Sequence, residues 1–429
     1  MKHFLSIILT AALLCAGLAF PASAQPAEAA PKALRFTQEG SFKIIQLTDL
    51  HMNFLGSRIV RDFILDLAES ERPDLFVLTG DNIADSGSKF GKAETRRSLV
   101  RKSIDSYMDV FDEVYDLYGI PVTMVLGNHD SEHLADVVDR KEHFEIYASH
   151  RSFIGAATDA DGGTVGEHGP HYGTHSLVIN GRAGAEPVFN LWFFDSGGYD
   201  ERGGYDGVQK PQIDWFNETN EALGRLPSLA FQHIVVPEIF DLLPQAQPGG
   251  KSSYTRKFYQ YNAPGCGEEN LVLADGKPAE IEKTVSAALP EGIEGELNEE
   301  PCPGMFNHGQ YAALCEAGNV RALFFGHEHV NTFELRLQDG TDLVNTPGTG
   351  FRTYGKAKLR GARVITLDDG DLDSYETDVI FYRDYYPGLL RRARLNLFEG
   401  LRSWASFVDF ISFRPIFWLE KRFGKQAQS

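Results

Sequence analysis

Short apolar runs alternate with amphipathic segments over the first part of the chain, and this alternation constrains the fold more than any other feature. The runs at 42–48 (FKIIQLT), 74–80 (DLFVLTG) and 121–127 (PVTMVLG) have the length of buried strands. The segments between them, 57–70 and 92–118, have the pattern of helices. Strands that alternate with helices predict a parallel sheet that is covered on both faces.

The later part of the chain predicts further strands, two more helices and one insertion. HSLVI and FNLWFFDS have hairpin-like spacing and follow residue 172. Residues 244–305 are rich in Gly, Pro and Glu, which predicts a long surface insertion. Helices are predicted at 212–224 and 309–317, and strands at 228–236, at 320–325 and at several positions up to about 382.

The N-terminus has the three parts of a secretory signal peptide, which we place at residues 1–24. Lys2 precedes an apolar run at 4–20, and the small residues ASA end at Ala24. An uncleaved membrane anchor is the alternative, but the run is short for a membrane span. We therefore expect an exported protein, periplasmic or secreted, in which 25–40 form a linker.

The mature chain would keep three cysteines in an oxidising compartment. A disulfide between Cys266 and Cys302 is plausible, because they bracket a loop rich in glycine and acidic residues. Cys315 lies in an amphipathic helical pattern that predicts a buried thiol. None of the three has CxxC spacing, so the sequence gives no support for a thiolate metal site.

The C-terminal segment, 386–429, is basic and aromatic and follows a domain that we place at 41–385. From Arg391 onward it has eight Lys and Arg residues against three acids. Asp409 and Arg414 interrupt its apolar stretch, which argues against a membrane span. Two interpretations stay open: an amphipathic helix packed on the domain, or a peripheral helix on an anionic membrane surface.

The net charge of −19, from 60 acids against 41 bases, excludes a protein that binds nucleic acid non-specifically. An anionic substrate would have to be held locally, by a metal ion or an arginine.

Polar side chains end or interrupt five of the apolar runs. Each cluster has an ordinary explanation by itself, as a helix cap, a turn or a core histidine. In open α/β sheets, however, ligands bind at the carboxyl ends of strands, so clusters in one register predict a shared site. The clusters are Asp49 with His51, Asp81, Asn128 with His129 and Asp130, His233, and His327 with His329.

His327 and His329 lie two residues apart at the end of a predicted strand. A strand places residues i and i+2 on the same face, so both imidazoles are expected to point the same way. Carboxylates, imidazoles and one amide oxygen are the ligands of Mn, Fe or Zn. Seven such groups are too many for one ion, and they fit two ions that share a carboxylate.

The ordered blocks DxH, GDN, GNHD, a single His and GHxH resemble the calcineurin-like metallophosphoesterase family over about residues 42–370. The resemblance implies a four-layer α/β sandwich in which two mixed β-sheets are flanked by helices. It also implies a phosphoesterase that works by in-line attack of a metal-bridged hydroxide. The first block is similar to that of purple-acid-phosphatase-like proteins. His51 departs from purple acid phosphatases proper, so we expect no purple chromophore.

The resemblance also implies a role for each site residue. One ion would be held by Asp49, His51, Asp81 and His329, and the other by Asp81, Asn128, His233 and His327. His129 would assist the leaving group, with Asp130 orienting it.

The expected substrate is a small phosphate monoester. The alternative is a phosphodiesterase acting on nucleotides, glycerophosphodiesters or lipid head groups. Arg352 and His133 are candidate substrate contacts, with a structural or solvated side chain as the alternative. His168, His171 and His175 are expected to be polar loop residues, and His175 is the best of the three for a contact to a metal-ligating side chain or to substrate. A metal-binding protein without activity is a rival that should lack ligands, and none is missing. A hydrolase with a covalent serine would need a GxSxG motif, which the sequence lacks.

Overall fold

The computed structural model describes residues 33–388 apart from 54–56, 84–92, 131–137, 156–172, 201–202, 250–251, 261–278 and 338–339. The strands are β1 (Ser41–Leu47), β2 (Leu75–Thr79), β3 (Val122–Val125), β4 (His175–Asn180), β5 (Pro187–Phe193), β6 (Ser228–Phe231), β7 (Ser253–Gln260), β8 (Ala279–Ser286), β9 (Phe306–Asn307), β10 (Val320–Phe325), β11 (Glu334–Leu335), β12 (Asp342–Asn345), β13 (Gly361–Asp368) and β14 (Asp371–Phe381). The helices are α1 (Arg58–Glu71), α2 (Ala93–Tyr118), α3 (Arg140–Ala148), α4 (Lys210–Ala222), α5 (Ile239–Leu242), α6 (Gln310–Ala317) and α7 (Tyr382–Tyr385).

Two mixed sheets form the centre of the molecule. The first has the strand order β14-β13-β1-β2-β3, in which β1, β2 and β3 are parallel. The second has the order β11-β12-β10-β6-β5-β4, in which the four inner strands are parallel and both edge strands are antiparallel. The parallel strands consist of continuous apolar runs, because both faces of each sheet are covered.

The two sheets pack face to face through alternate residues of their strands. Phe42 and Ile44 of β1 share one buried cluster with Phe231 of β6 and Phe324 of β10. Stacked rings continue this layer, with Phe231 and Phe324 centred 5.4 Å apart. Because side chains alternate along a strand, the neighbouring residues face outward, toward the helices.

Helices cover the outer face of each sheet. Ile45 of β1 packs with Phe63 of α1 and Phe111 of α2 on one side. Phe325 of β10 packs with Phe216 of α4 on the other. Helix, sheet, sheet and helix give four layers, so the predicted four-layer α/β sandwich is confirmed.

The helices form where apolar residues recur on one face. In α1 the buried positions are Ile59, Val60, Phe63, Ile64, Leu67 and Ala68, which repeat with the period of a helix. The helix ends at Arg72, whose φ of 48° is left-handed. The four predicted helices differ from α1, α2, α4 and α6 by at most two residues at each end, α3, α5 and α7 were not predicted, and strand β10 has the predicted bounds.

The predicted surface insertion, 244–305, contains regular structure in its described part. β7 and β8 pair antiparallel along their whole length, and β9 pairs parallel with β7. Phe258 and Val285 are buried from this small sheet into the cluster outside the second large sheet. The insertion therefore adds to the core and is more than a loop.

The predicted linker, 25–40, ends earlier than expected. Leu34 and Phe36 are buried, and the backbone N–H of Phe36 donates to the carbonyl of Asn180 at 3.1 Å. The N–H of Asn180 donates in turn to the carbonyl of Leu34 at 3.0 Å. These residues therefore belong to the folded domain. Their alternate apolar side chains are buried, and their backbone pairs with the edge strand β4.

Several predictions concern residues outside the described ranges: the signal peptide at 1–24, the tail from 389 onward, Cys266, His133, His168 and His171. Cys302 and Cys315 are free thiols; Cys315 lies on α6 as predicted, but it is half-buried and not fully buried as expected. Among the described residues, no helix combines the length and the hydropathy that a membrane crossing requires.

Candidate metal centre

The predicted ligands lie just beyond the carboxyl ends of five parallel strands. Asp49, Asp81, His233 and His327 each stand two residues after the last residue of β1, β2, β6 and β10, respectively. Asn128 stands three residues after β3. The prediction that His233 lies within a strand reaching residue 236 is wrong, because β6 ends at Phe231. Its position matches that of the other ligands.

The backbone turns sharply at these positions. The backbone φ is positive at Asp49 (53°), His51 (45°), Asp81 (51°) and His327 (72°). This left-handed region is strained for residues with a side chain, although Asp and His enter it more readily than most. His327 and His329 therefore point inward because of a turn after β10, and the strand alternation that we expected is not the cause.

Four ligand atoms form the first group, from Asp49, His51, Asp81 and His329, and all lie within 4.8 Å of one another. His329 Nε2 is 3.0 Å from Asp49 Oδ1, and His51 Nε2 is 3.6 Å from Asp81 Oδ2. All four residues are buried.

Asp81 also belongs to a second group, with His233 and His327. His233 Nε2 lies 3.4 Å from Asp81 Oδ2 and 3.1 Å from Asn128 Oδ1. The structure thus brings together all seven residues predicted as ligands, with one carboxylate common to both groups. Their assignment as ligands is a proposal that we develop below.

Four buried atoms of these groups have no hydrogen-bond partner: Asp49 Oδ1, His51 Nε2, Asp81 Oδ2 and His327 Nε2. An unsatisfied buried polar atom costs about 1–3 kcal/mol, and more when it is charged. Such a concentration at one point is explained if cations occupy the positions that these atoms face. The donor set therefore fits a metal pair.

Hydrogen bonds aim each carboxylate at the centre. Asp49 Oδ2 accepts from the Thr48 hydroxyl at 2.9 Å and from the backbone N–H of His327 at 3.1 Å. Asp81 Oδ1 accepts from the backbone N–H of His129 at 2.8 Å. In both residues one oxygen is held by the protein, and the other oxygen faces the ligand group.

Two imidazoles are oriented through their second nitrogen. His233 Nδ1 lies 2.8 Å from the carbonyl of Thr79, and His329 Nδ1 lies 2.9 Å from the carbonyl of Tyr354. A carbonyl can only accept, so each Nδ1 carries the proton and each Nε2 is directed at the centre.

At neutral pH three of these groups are in the form that binds a metal, and His233 would have to lose a proton. Burial lowers the pKa of His51 and of His327 to about 3, so both rings are neutral. Burial opposes ionisation of Asp49, but the adjacent His329 outweighs it and lowers the pKa from 3.8 to about 2. Burial also opposes the charged form of His233, but Asp81 raises its pKa to about 10. Metal binding at this nitrogen displaces that proton.

His129 differs from the ligands because its side chain is 37% exposed. Its Nε2 lies 4.0 Å from Asp81 Oδ2, and its ring is centred 5.3 Å from that of His51. It is therefore beside the centre and open to a substrate, as a group that protonates a leaving oxygen must be.

Asp130 does not have the expected role of orienting His129. Its Oδ1 accepts from the backbone N–H of Ile83 at 2.9 Å, and its Oδ2 accepts from that of Gly127 at 2.7 Å. The carboxylate thus joins the loops that carry Asp81 and Asn128, and its buried oxygens are taken by these bonds. Burial, followed by the charge of Asp81, raises the pKa of Asp130 to about 7.

A segment of the insertion, residues 294–302, forms hydrogen bonds along the GHEH loop. We call this segment the acidic strap. Asn331, which is fully buried, accepts through Oδ1 from the N–H groups of Asn298 at 2.7 Å and Glu299 at 3.0 Å. Its Nδ2 donates to the carbonyl of Glu299 at 3.1 Å. The insertion 244–305, which includes the strap, was expected to rim the cleft, but the bonds to Asn331 span 33 residues and have no local sequence signal.

Glu328 stands between the two histidines and is buried under the strap. It accepts from the N–H of Cys302 at 2.5 Å and from Asn345 Nδ2 at 3.2 Å. Burial raises the pKa of Glu328 to about 8. These bonds fix the turn that carries His327 and His329.

His175 is structural, contrary to the suggestion that it contacts substrate. It is fully buried, its Nε2 lies 2.8 Å from the Thr123 hydroxyl, and its Nδ1 lies 2.7 Å from the carbonyl of Gly173. Its ring stacks on Phe193 between the sheets. Arg352 lies in the loop that carries Tyr354, a residue next to His329 that the sequence did not single out.

Comparison with known proteins gives a family match over residues 42–331, described as calcineurin-like phosphoesterase. Two similar curated proteins are probable inactive purple acid phosphatases 29 and 14 of Arabidopsis thaliana. They are 28% and 26% identical, over 80% and 78% of this chain and 81% and 77% of their own lengths. The Saccharomyces cerevisiae phosphatase DCR2 is 26% identical over 58% of this chain and 44% of its own.

Among solved structures, a dimetal phosphatase from Danio rerio is similar over 80% of this chain and 99% of its own, with 14% identity and a TM-score of 0.41. The family match includes every residue of the two ligand groups. The resemblance inferred from the five sequence blocks, including the purple-acid-phosphatase-like subgroup, is confirmed.

Proposed function

This chain belongs to the calcineurin-like phosphoesterase family, and from that premise we propose that it is an exported dinuclear-metal enzyme that hydrolyses phosphate monoesters. The observation that carries the proposal is the pair of buried ligand groups that share Asp81 and contain four unsatisfied atoms. Asp49, His51, Asp81 and His329 would hold one ion of Mn, Fe or Zn. Asp81, Asn128, His233 and His327 would hold the other.

When bound, the ions supply an activated water and neutralise the charge that develops on the phosphoryl oxygens. The side chains perform the remaining tasks. Asp81 would keep the two ion positions at a fixed separation, because its Oδ1 accepts a hydrogen bond from the backbone N–H of His129. That same bond places His129 next to the centre. The half-exposed His129 ring gives a proton to the departing alcohol.

The acidic net charge supports these separate roles of the metal ions and the side chains. A protein with a charge of −19 repels a phosphate ester at long range. Binding then depends on local positive charge, which the metal pair provides. A small substrate also agrees with the absence of any basic excess in the chain as a whole.

The names of the plant relatives describe those proteins as probably inactive. We propose activity for this chain because no ligand is missing and because His129 stands at the open side of the centre. In a protein that had lost the activity, apolar side chains could replace the unsatisfied polar groups. Their replacement would remove the free-energy cost of burying those groups.

The proposal is tested with mature protein stripped of metal and reloaded separately with Mn, Fe and Zn. p-Nitrophenyl phosphate and bis-p-nitrophenyl phosphate are assayed side by side, with Asp81→Asn as the control. We expect metal-dependent turnover of the monoester that the substitution abolishes. Faster turnover of the diester would replace the monoesterase with a phosphodiesterase. Two bound ions without turnover of either ester would contradict the enzymatic proposal.

A further inference from the structure

The ring of Tyr354 lies flat on the imidazole of His329. The two ring centroids are 4.0 Å apart and the planes differ by 13°. His329 is followed by His51 and then by His129, with 5.3 Å between successive centroids. The four rings thus form a series of neighbouring pairs, and Tyr354 is at one end of the series.

Tyr354 is also unusually exposed for a large side chain. Among the described residues, the exposed large hydrophobic side chains are Leu117, Tyr199 and Tyr354, and the two tyrosines are each 43% exposed. One face of Tyr354 covers His329, so the exposed part of the residue lies away from that face. A flat aromatic surface beside a catalytic centre is a ready stacking partner for a planar ligand.

The position of Tyr354 is fixed before any ligand arrives. Its carbonyl accepts from His329 Nδ1 at 2.9 Å, and the carbonyl of Thr353 accepts from Arg360 Nη2 at 2.8 Å. Arg360 is itself buried. A fixed ring loses little conformational entropy when a ligand stacks on it.

The geometry limits which substrates could use this surface. His329 points its Nε2 at the centre within the plane of its ring, and Tyr354 is stacked on the face of that ring. The Tyr354 ring is therefore displaced from the plane of the His329 ring by the spacing of one stacked pair, and a ligand stacked on its outer face would lie one further spacing away. An aromatic ring joined directly to the phosphate is too close to reach it. A ring on the far side of a sugar is at a suitable distance.

We propose that Tyr354 selects nucleoside monophosphates by stacking on the base while the phosphate lies at the metal centre. The inference rests on the proposed phosphomonoesterase function and names its substrate class. Stacking on one tyrosine tolerates any base, so selectivity among the bases is not expected. Tyr354 thus disfavours phosphate esters in which the alcohol carries no planar ring attached through a spacer such as a sugar.

The test compares adenosine 5′-monophosphate with ribose 5-phosphate, which has the same leaving oxygen and no base. Mn-loaded wild type is compared with Tyr354→Leu and with Tyr354→Phe, which keeps both stacked faces. p-Nitrophenyl phosphate is the third substrate, because its ring has no spacer. Metal content is measured for every variant, since Tyr354 also covers His329.

We expect Tyr354→Leu to lower kcat/KM for the nucleotide about tenfold relative to ribose 5-phosphate, mainly through KM. Tyr354→Phe should retain the wild-type ratio. p-Nitrophenyl phosphate should follow ribose 5-phosphate in each variant. Equal losses on all three substrates, with loss of metal, would show that Tyr354 only supports His329 and would overturn the inference. A selective loss on p-nitrophenyl phosphate would assign the surface to simple aryl esters and would also overturn it.

Equilibrium binding separates this inference from the proposed function. If wild type hydrolyses none of the three esters, the proposed function fails. Binding of adenosine 5′-monophosphate at least about fivefold tighter than ribose 5-phosphate, lost in Tyr354→Leu and kept in Tyr354→Phe, would still support the stacking site. Equal binding of the two ligands to wild type would overturn it.

Discussion

His233 Nε2 lies 3.4 Å from Oδ2 of Asp81, a buried carboxylate oxygen that no hydrogen bond satisfies. The two residues come from different sheets, one after β2 and the other after β6. Asp81 is thus the point at which the ends of both sheets meet. It is also the residue common to both ligand groups.

Replacement of Asp81 by Asn should therefore affect both ions. The amide keeps the shape but removes the charge that both positions share. Changes to groups that merely support ligands typically cost 10–100-fold in metal affinity or activity, so we expect a loss of at least about a hundredfold. Metal analysis after dialysis and kcat on p-nitrophenyl phosphate measure the effect. Retention of two ions per chain would show that Asp81 is not the bridge.

Replacement of His129 by Ala should spare the metals and slow the reaction. His129 is outside both ligand groups, and its ring is half-exposed beside Asp81. General acid catalysis contributes about 10²–10⁴-fold, and it matters most when the leaving group is a poor one. We expect kcat to fall in that range for an alkyl phosphate and much less for p-nitrophenyl phosphate. Equal losses on both substrates would argue against a proton donor.

Replacement of Asn331 by Ala should lower the stability of the fold and the metal affinity of the centre, although Asn331 is not a predicted ligand. The change leaves the N–H groups of Asn298 and Glu299 without their acceptor in the strap. We expect a loss of about 2–3 kcal/mol in the free energy of unfolding, measured in urea, and a 10–100-fold loss of metal affinity.

Lys358→Ala is the matched control for the strap. Lys358 bonds Glu296 of the same strap, but the pair is exposed, so its removal should change stability by less than about 0.5 kcal/mol. If both variants behave alike, the strap does not position the GHEH loop.

His150 should make stability depend on pH independently of the metals. Its Nδ1 lies 3.1 Å from Asp112 and its Nε2 lies 3.3 Å from Asp105. Burial lowers the pKa of His150, but Asp112 and Asp105 outweigh it and raise the pKa above its ordinary value of 6.5. The stabilisation is therefore complete below pH 6.5 and is lost as the pH rises through the folded-state pKa.

The corresponding measurement compares urea unfolding of wild type and His150→Gln between about pH 5.5 and 9. The stability difference should be largest at the acidic end and should shrink as the pH rises. Asp112, whose pKa is lowered by its bonds to His150 and Ser152 in spite of burial, adds stability that disappears only at much lower pH. A difference that grows with pH would contradict the charged pair.

The seven residues predicted as ligands cluster in the structure because each of them stands close to a strand end. Apolar runs mark the strands, and in parallel sheets strand ends converge. Two details could not be obtained in this way. His233 was placed inside a strand, because the apolar IVV that follows it is buried without being part of β6. The turn at His327 depends on a left-handed φ that no pattern in GHEH reveals.

Contacts between distant segments account for the other differences. Asp130 follows the histidine that it was expected to orient, yet its partners are the backbones of Gly127 and Ile83. Tyr354 is 25 residues from His329 in sequence, and only the folded loop stacks the two rings. Sequence spacing identifies groups that one strand end presents. It does not identify groups that a separate loop brings to the same place.

The most direct test of the dinuclear centre is a crystal of the mature protein loaded with Mn, with anomalous data collected at the manganese edge. The account predicts two peaks about 3.5–4 Å apart, with the Asp81 carboxylate between them. One peak should lie among Asp49, His51 and His329, and the other among Asn128, His233 and His327. A single peak, or peaks that do not share Asp81, would contradict the account.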